Sequence, residues 1–165
     1  MGLKTPALSL RARALVYLSQ REHSRLELRR KLFNLVRRAA PSEAEATDPG
    51  PEIDALLDAL SREGWLSESR YVESRLRVRA PRLGARRLAA ELAQQGLKPE
   101  GEGWEQVQAS EAERAQALLR RRFGDAAPAD AKERARRVRF LVARGFAQGL
   151  ALRLTRATGQ GDLEE

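Results

Sequence analysis

The sequence contains no cysteine, one histidine and few aromatic residues, and each scarcity closes off a class of molecule. Without cysteine there are no disulfides and no thiolate metal sites. Phe, Trp and Tyr together make up 5% of 165 residues, so any core is built from leucine, alanine and valine. No apolar run is long enough for a signal-peptide core or a membrane span, and the expected location is the cytoplasm. Period-two alternation is nowhere sustained, so no strand is expected and no glycine-rich phosphate loop can follow one. His23 stands just before a helix-capping serine and reads as a solvated turn residue rather than a general base. Carboxylates are numerous, but they fall on polar helix faces and in a loop, with no pair set between apolar positions. The expectation is a protein that is not an enzyme and uses no metal or cofactor.

What the chain has in quantity is charge. Charged residues are 33%, with 31 Lys and Arg against 23 Asp and Glu, giving a net +8 and a pI near 10.8. That balance favours a polyanion, or an acidic protein surface, as partner. The charge comes in alternating blocks: residues 1–40 carry +8, 41–64 carry −6, 65–99 carry +5, 100–119 carry −4, 120–157 carry +8 and 158–165 carry −3. Three basic blocks, each followed by an acidic one, suggest a repeating unit.

The apolar spacing agrees, and it is helical throughout. Ala14, Leu15 and Leu18 mark a first helix. Ser24 and Glu27 form a capping box that opens a helix with Leu28, Leu32, Leu35 and Val36 on one face. Residues 40–51 are an acidic, proline-rich loop; Ile53, Leu56, Leu57 and Leu60 follow, ending at Gly64 with Trp65 expected to fold back on the last turn. Tyr71, Val72 and Leu76 lead to a stop at Pro81; Ala85, Leu88 and Leu92 end at Gly96; Trp104 and Val107 mark a short acidic helix. Ser110–Glu113 and Asp130–Glu133 read as two more capping boxes, before Ala115, Leu118, Leu119 and Phe123 and before Val138, Leu141 and Val142. Gly145 closes the latter, and Phe146, Leu150, Ala151 and Leu154 form the last helix.

Leu92–Gly96 and Leu141–Gly145 share the pattern Leu-x-x-x-Gly-apolar, which places them at one position of successive three-helix repeats, with Leu32 as the match in the first. The repeats run over 12–64, 65–109 and 110–157, with a disordered acidic tail over 158–165. Short helices bury too little alone, so the fold expected is all-α: about nine short helices in tandem repeats stacked into an elongated curved rod.

Arginines carry the functional signal. Arg75, Arg77, Arg79, Arg82, Arg86 and Arg87 bracket the joint around Pro81, and Arg120, Arg121 and Arg122 end a later helix. Some can pair with Glu73 and Glu91, but together they suggest a basic stripe. Aromatics do not interleave with it, so stacking on single strands is not indicated. Three uses compete: a helix–turn–helix DNA reader, a protein-binding solenoid and a structural spacer. The candidate recognition helix GARRLAAELAQQ offers Arg86 and Arg87 and then alanines, which suits phosphate contact more than base reading.

Four segments in order, SRLELRRKL (24–32), LLDALSREGWLSESRYVESRLR (56–77), RLGARRLAAELAQQGL (82–97) and RFLVARGFAQGLALRL (139–154), resemble the RecX regulatory proteins of bacteria. The likeness covers roughly residues 12–157 and keeps Gly84, Leu88, Glu91, Leu92 and Gly96. It departs in having Ser67 and Glu68 where the family has an acidic pair, and in a longer acidic first loop. The resemblance implies tandem three-helix repeats that bind the RecA recombinase filament and restrain its ATP hydrolysis, coprotease activity and strand exchange. It would place the protein in DNA repair, homologous recombination and the SOS response. The expected partner-binding residues are Arg75, Arg79, Arg82, Arg86, Arg87, Arg120, Arg121 and Arg122; single- or double-stranded DNA is a further expected partner, and a monomer is expected. The alternative is a nonspecific DNA-binding helical repeat.

Overall fold

The computed structural model describes residues 8–39 and 48–156. Most of the acidic loop and the whole acidic tail lie outside the described residues. Among the described residues the chain is all helical, with α1 Leu10–Gln20, α2 Arg25–Ala39, α3 Gly50–Arg62, α4 Glu68–Arg79, α5 Ala85–Ala93, α6 Glu102–Ala109, α7 Glu111–Phe123, α8 Ala131–Val142 and α9 Gln148–Leu154. A single 3-10 turn, Ala80–Arg82, carries Pro81. The chain divides into two compact units, Met1–Ser74 and Arg75–Glu165, with the division falling inside α4.

In the N-terminal unit Ala14, Leu28, Leu32, Ile53, Leu57, Leu60 and Leu66 close a core with Leu10, Leu15, Tyr17, Leu18, Phe33 and Leu56 packed around it. Outside that core, Arg29 clamps Asp54 with two bonds of 2.7 and 3.0 Å, and Arg25 meets Asp58 at 2.8 Å, so α2 and α3 are also tied by charge. α3 begins at Gly50, so Gly50 and Pro51, expected in the loop, belong to its first turn; proline fits there because that amide has no helical partner. The Ser24 hydroxyl accepts from the Glu27 amide at 3.0 Å and caps α2, while the Glu27 carboxylate is held by Arg21.

His23 corrects the sequence reading, because it is fully buried. Its Nδ1 lies 2.9 Å from the Arg21 carbonyl and its Nε2 lies 2.9 Å from the Lys31 ammonium. An ammonium only donates, so Nε2 accepts, Nδ1 carries the proton, and the imidazole is neutral. Burial holds its pKa below the usual histidine value. Polar partners on both ring nitrogens are what allow a histidine next to a capping serine to turn inward.

In the C-terminal unit Ala115, Leu119, Leu141, Phe146, Leu150 and Ala151 form the core around α7, α8 and α9, and Leu76, Leu88, Leu92 and Val107 are buried on α4, α5 and α6. Leu32, Leu92 and Leu141, matched by sequence, are all buried. α3, α5 and α8 end alike: the Trp65, Leu97 and Phe146 amides donate back to the Leu60, Leu92 and Leu141 carbonyls at 2.9–3.2 Å, past Gly64, Gly96 and Gly145 at φ of 80, 74 and 86°. Behind Gly64 the residue that folds in is Leu66, at 4% exposure, and not Trp65, which is 54% exposed. Ser110 is a second correction: its hydroxyl donates to the Gln106 carbonyl at 2.7 Å and does not cap α7. α6 ends one residue earlier, and the Ser110 amide also donates to the Gln106 carbonyl, at 3.0 Å, so Ser110 closes α6.

Candidate partner-binding site

The site in the C-terminal unit is built on the meeting of two glycines. Gly84, the N-cap of α5, donates its amide to the Arg144 carbonyl at 2.9 Å, and the Arg86 amide donates to the Gly145 carbonyl at 3.2 Å. The free amides at the start of one helix thus satisfy carbonyls released at the end of another. The approach is too close for side chains. A Cβ on Gly84 would lie 2.3 Å from the Phe146 nitrogen and 2.4 Å from the Gly145 carbonyl group; one on Gly145 would lie 2.3 Å from the Arg87 Cβ. At φ 86°, Gly145 also occupies a backbone region that other residues reach with strain.

Two side chains from α7 complete the joint. Glu111 accepts the Ala85 amide at 2.7 Å. Arg114 reaches through the unit, donating to the Ala80 and Leu83 carbonyls at 2.5 and 2.6 Å through Nη1 and to the Val107 carbonyl at 2.6 Å through Nη2. Its burial lowers the guanidinium pKa, and its Cζ lies 5.9 Å from the Phe146 ring centre. Arg114 is therefore a structural fastener that binds the 3-10 turn to α6 and α7.

This joint sets Arg82, two residues before Gly84, beside Arg144, one before Gly145. With Arg121 and Arg122 from the end of α7 they rim a recess of about 300 Å³ whose floor is Leu118 and Phe140. Arg82, Arg121 and Arg122 are exposed and Arg144 is half-buried. Arg144 bonds the Phe140 carbonyl at 3.1 Å, and its guanidinium stacks 3.7 Å from the Phe140 ring centre. Among the described residues no carboxylate forms an ion pair with any of these four arginines.

The other expected residues sit elsewhere. Glu91 gathers Arg79 at 2.6 and 3.2 Å, Arg75 at 3.7 Å and Arg87 at 3.8 Å. Its carboxyl pKa is lowered, first by the Arg79 hydrogen bonds and then by the charges of Arg79, Arg75 and Arg87. Arg86 is exposed at the start of α5. Arg120 lines a separate recess of about 230 Å³ together with Arg137, Arg156 and Asp125. The structure thus brings Arg82, Arg121 and Arg122 together, gives Arg75, Arg79 and Arg87 a shared counter-ion, and sets Arg86 and Arg120 apart. Sequence reasoning missed Arg144 and Arg114. For Arg144 a signal existed: the residue before a helix-ending glycine lies in the fixed last turn. For Arg114, one base in an acidic stretch, the partners are backbone carbonyls that no side-chain pattern reveals.

Among the described residues no group of His, Asp and Glu could hold a metal ion, and no helix is long and apolar enough to cross a membrane. The family profile for the third three-helix domain of RecX matches residues 109–154. A regulatory protein RecX from Ralstonia nicotianae is 51% identical over 93% of this chain and 91% of its own length. One from Ralstonia pickettii is 48% identical with the same coverage, and one from Leptothrix cholodnii is 45% identical over 94% of this chain and 93% of its own. With such identity along nearly the whole of both chains, and with a helical architecture to match, this chain belongs to the RecX family of regulatory proteins.

Proposed function

We propose that the protein binds the RecA recombinase filament and modulates it, mainly by inhibiting its ATP hydrolysis, coprotease activity and strand exchange. The observation that carries this reading is near-full-length identity to proteins named regulatory protein RecX. The four arginines without carboxylate partners add a surface suited to an acidic partner. Binding alone suffices as mechanism: a protein seated on the filament hinders subunit movement or addition without any chemical step. In this reading the chain acts in the cytoplasm as a monomer, is not an enzyme, and is organised as three repeats over 12–64, 65–109 and 110–157.

The test is a titration of the protein into recombinase hydrolysing ATP on single-stranded DNA, with binding measured in parallel on coated and naked DNA at equal salt. A filament modulator slows hydrolysis and prefers the coated strand. Equal affinity for both strands supports instead a nonspecific DNA-binding protein that competes for the same DNA, a reading the exposed arginines also accommodate. Undiminished hydrolysis at saturating protein would refute the modulator.

A further inference from the structure

We infer that the recess rimmed by Arg82, Arg121, Arg122 and Arg144 is a docking pocket for an acidic protein segment carrying one large apolar side chain. The inference rests on the partner-binding reading above and specifies the chemistry of the partner. Its rim and its floor ask for different things. Four guanidinium groups from three separate stretches of chain converge on one opening, and no carboxylate of the described residues pairs with them. Each presents a planar fork of donors suited to carboxylate or phosphate. The floor, by contrast, is the half-buried Leu118 and Phe140, which offer an incoming group only apolar surface.

A nucleic acid would satisfy the rim and leave the floor unused. Single strands bind through stacking of bases on free aromatic faces. Phe140 has the Arg144 guanidinium 3.7 Å from its centre and forms a T-shaped pair with Phe123 at 5.3 Å and 82°, so a ring face that a base would stack on is already covered by a cation. Duplex phosphates lie along a convex ridge and reach a rim more readily than the bottom of a recess of about 300 Å³. A peptide in which carboxylates flank an apolar side chain uses both: the apolar group fills the floor and its acidic neighbours meet the arginines. The Arg144 stack holds one rim group in place before the partner arrives, which lowers the ordering cost of binding.

The experiment uses the full chain and a fluorescein-labelled short peptide of aspartates and glutamates around a single phenylalanine. Its phenylalanine-to-alanine counterpart and a labelled oligothymidylate serve as comparisons, all by anisotropy at one salt concentration. The phenylalanine peptide should bind on the order of tenfold more tightly than the alanine peptide, as expected for burying one large apolar side chain. The exposed pair R82E and R121E, with helix content checked by circular dichroism, should weaken the peptide at least tenfold, and R122A should weaken it less. The comparison of peptides on the parent protein needs no variant to fold. Equal binding of the two peptides, absence of peptide binding, or tighter binding of oligothymidylate that the same variants abolish would each overturn the inference. Recombinase inhibition measured on the same preparations keeps the two claims apart. Inhibition without peptide binding sinks the pocket alone, and peptide binding without inhibition sinks the modulator alone.

Discussion

Gly84→Ala should destabilise the C-terminal unit through contact alone. Gly84 has φ −77°, which alanine adopts without strain, so the only new term is a methyl group 2.3 Å from the Phe146 nitrogen and 2.4 Å from the Gly145 carbonyl group. Both obstacles are backbone and cannot swing aside. Overpacking typically costs about 1–3 kcal/mol, and with rigid neighbours and two hydrogen bonds to lengthen we expect about 3 kcal/mol. Gly96→Ala is the complement: φ is 74°, but an added Cβ has nothing within 4 Å, so only the left-handed backbone is penalised, at about 1–2 kcal/mol. Gly145→Ala meets both conditions, with φ 86° and the Arg87 Cβ at 2.3 Å, and should cost about 3–5 kcal/mol. The chain's two tryptophans make the assay clean, because Trp65 lies in the N-terminal unit and Trp104 in the C-terminal one. In a Trp65→Phe background, fluorescence reports the C-terminal unit, and a 3 kcal/mol loss lowers the urea midpoint by about 2 M. A Gly84→Ala midpoint equal to that of the background protein, or a larger loss for Gly96→Ala than for Gly84→Ala, would refute the interlock.

His23 gives the N-terminal unit a pH dependence that Trp65 fluorescence can follow in a Trp104→Phe background. Its pKa is lowered from 6.5 by burial, with Arg21 and Lys31 adding to the decrease while the Arg21 carbonyl and Glu27 oppose it, so the unfolded chain binds the proton first. Stability is therefore fully present above about pH 6.5 and declines as pH falls toward the folded-state value; His23→Gln should flatten that decline, and identical slopes would refute it. Arg114→Met keeps most of the stem but removes a charged donor from three carbonyls, and should cost about 3 kcal/mol in Trp104-monitored urea unfolding, with Arg114→Lys recovering part. A loss below about 1 kcal/mol would mean that water replaces the guanidinium.

Helix content was legible because it depends on local spacing, and leucines at helical intervals with glycine stops read the same in any tertiary setting. Contacts across distance were not. Ser24 and Ser110 stand in near-identical sequence contexts, yet one caps a helix and the other bonds back to Gln106, because only Ser110 follows directly on another helix. Trp65 and Leu66 are adjacent apolar residues, and only the geometry of the Gly64 turn decides that leucine is the one buried. His23 read as solvated because its neighbours in sequence are polar, whereas its second partner, Lys31, lies two turns along the next helix. The arginines share this limit: Arg79 meets Glu91 across the Pro81 joint, and Arg82 meets Arg144 only through the contact of Gly84 with Gly145.

That dependence changes what the basic composition means. Many arginines in this chain are bound up in holding it together: Arg11, Arg25, Arg29 and Arg70 pair with carboxylates of the N-terminal unit, and Arg75, Arg79 and Arg87 share Glu91. Arg114 and Arg137 are turned inward onto backbone carbonyls. The net +8 is therefore not an even coat of positive charge. Arg82, Arg121, Arg122 and Arg144, which have no ion-pair partner among the described residues, share one recess, and an approaching anion there meets positive charge that no paired carboxylate cancels. Because Arg82 and Arg144 are neighbours only while Gly84 and Gly145 touch, the pocket exists only in the folded C-terminal unit. An acidic partner that uses it discriminates folded from unfolded chain as sharply as it discriminates one surface from another.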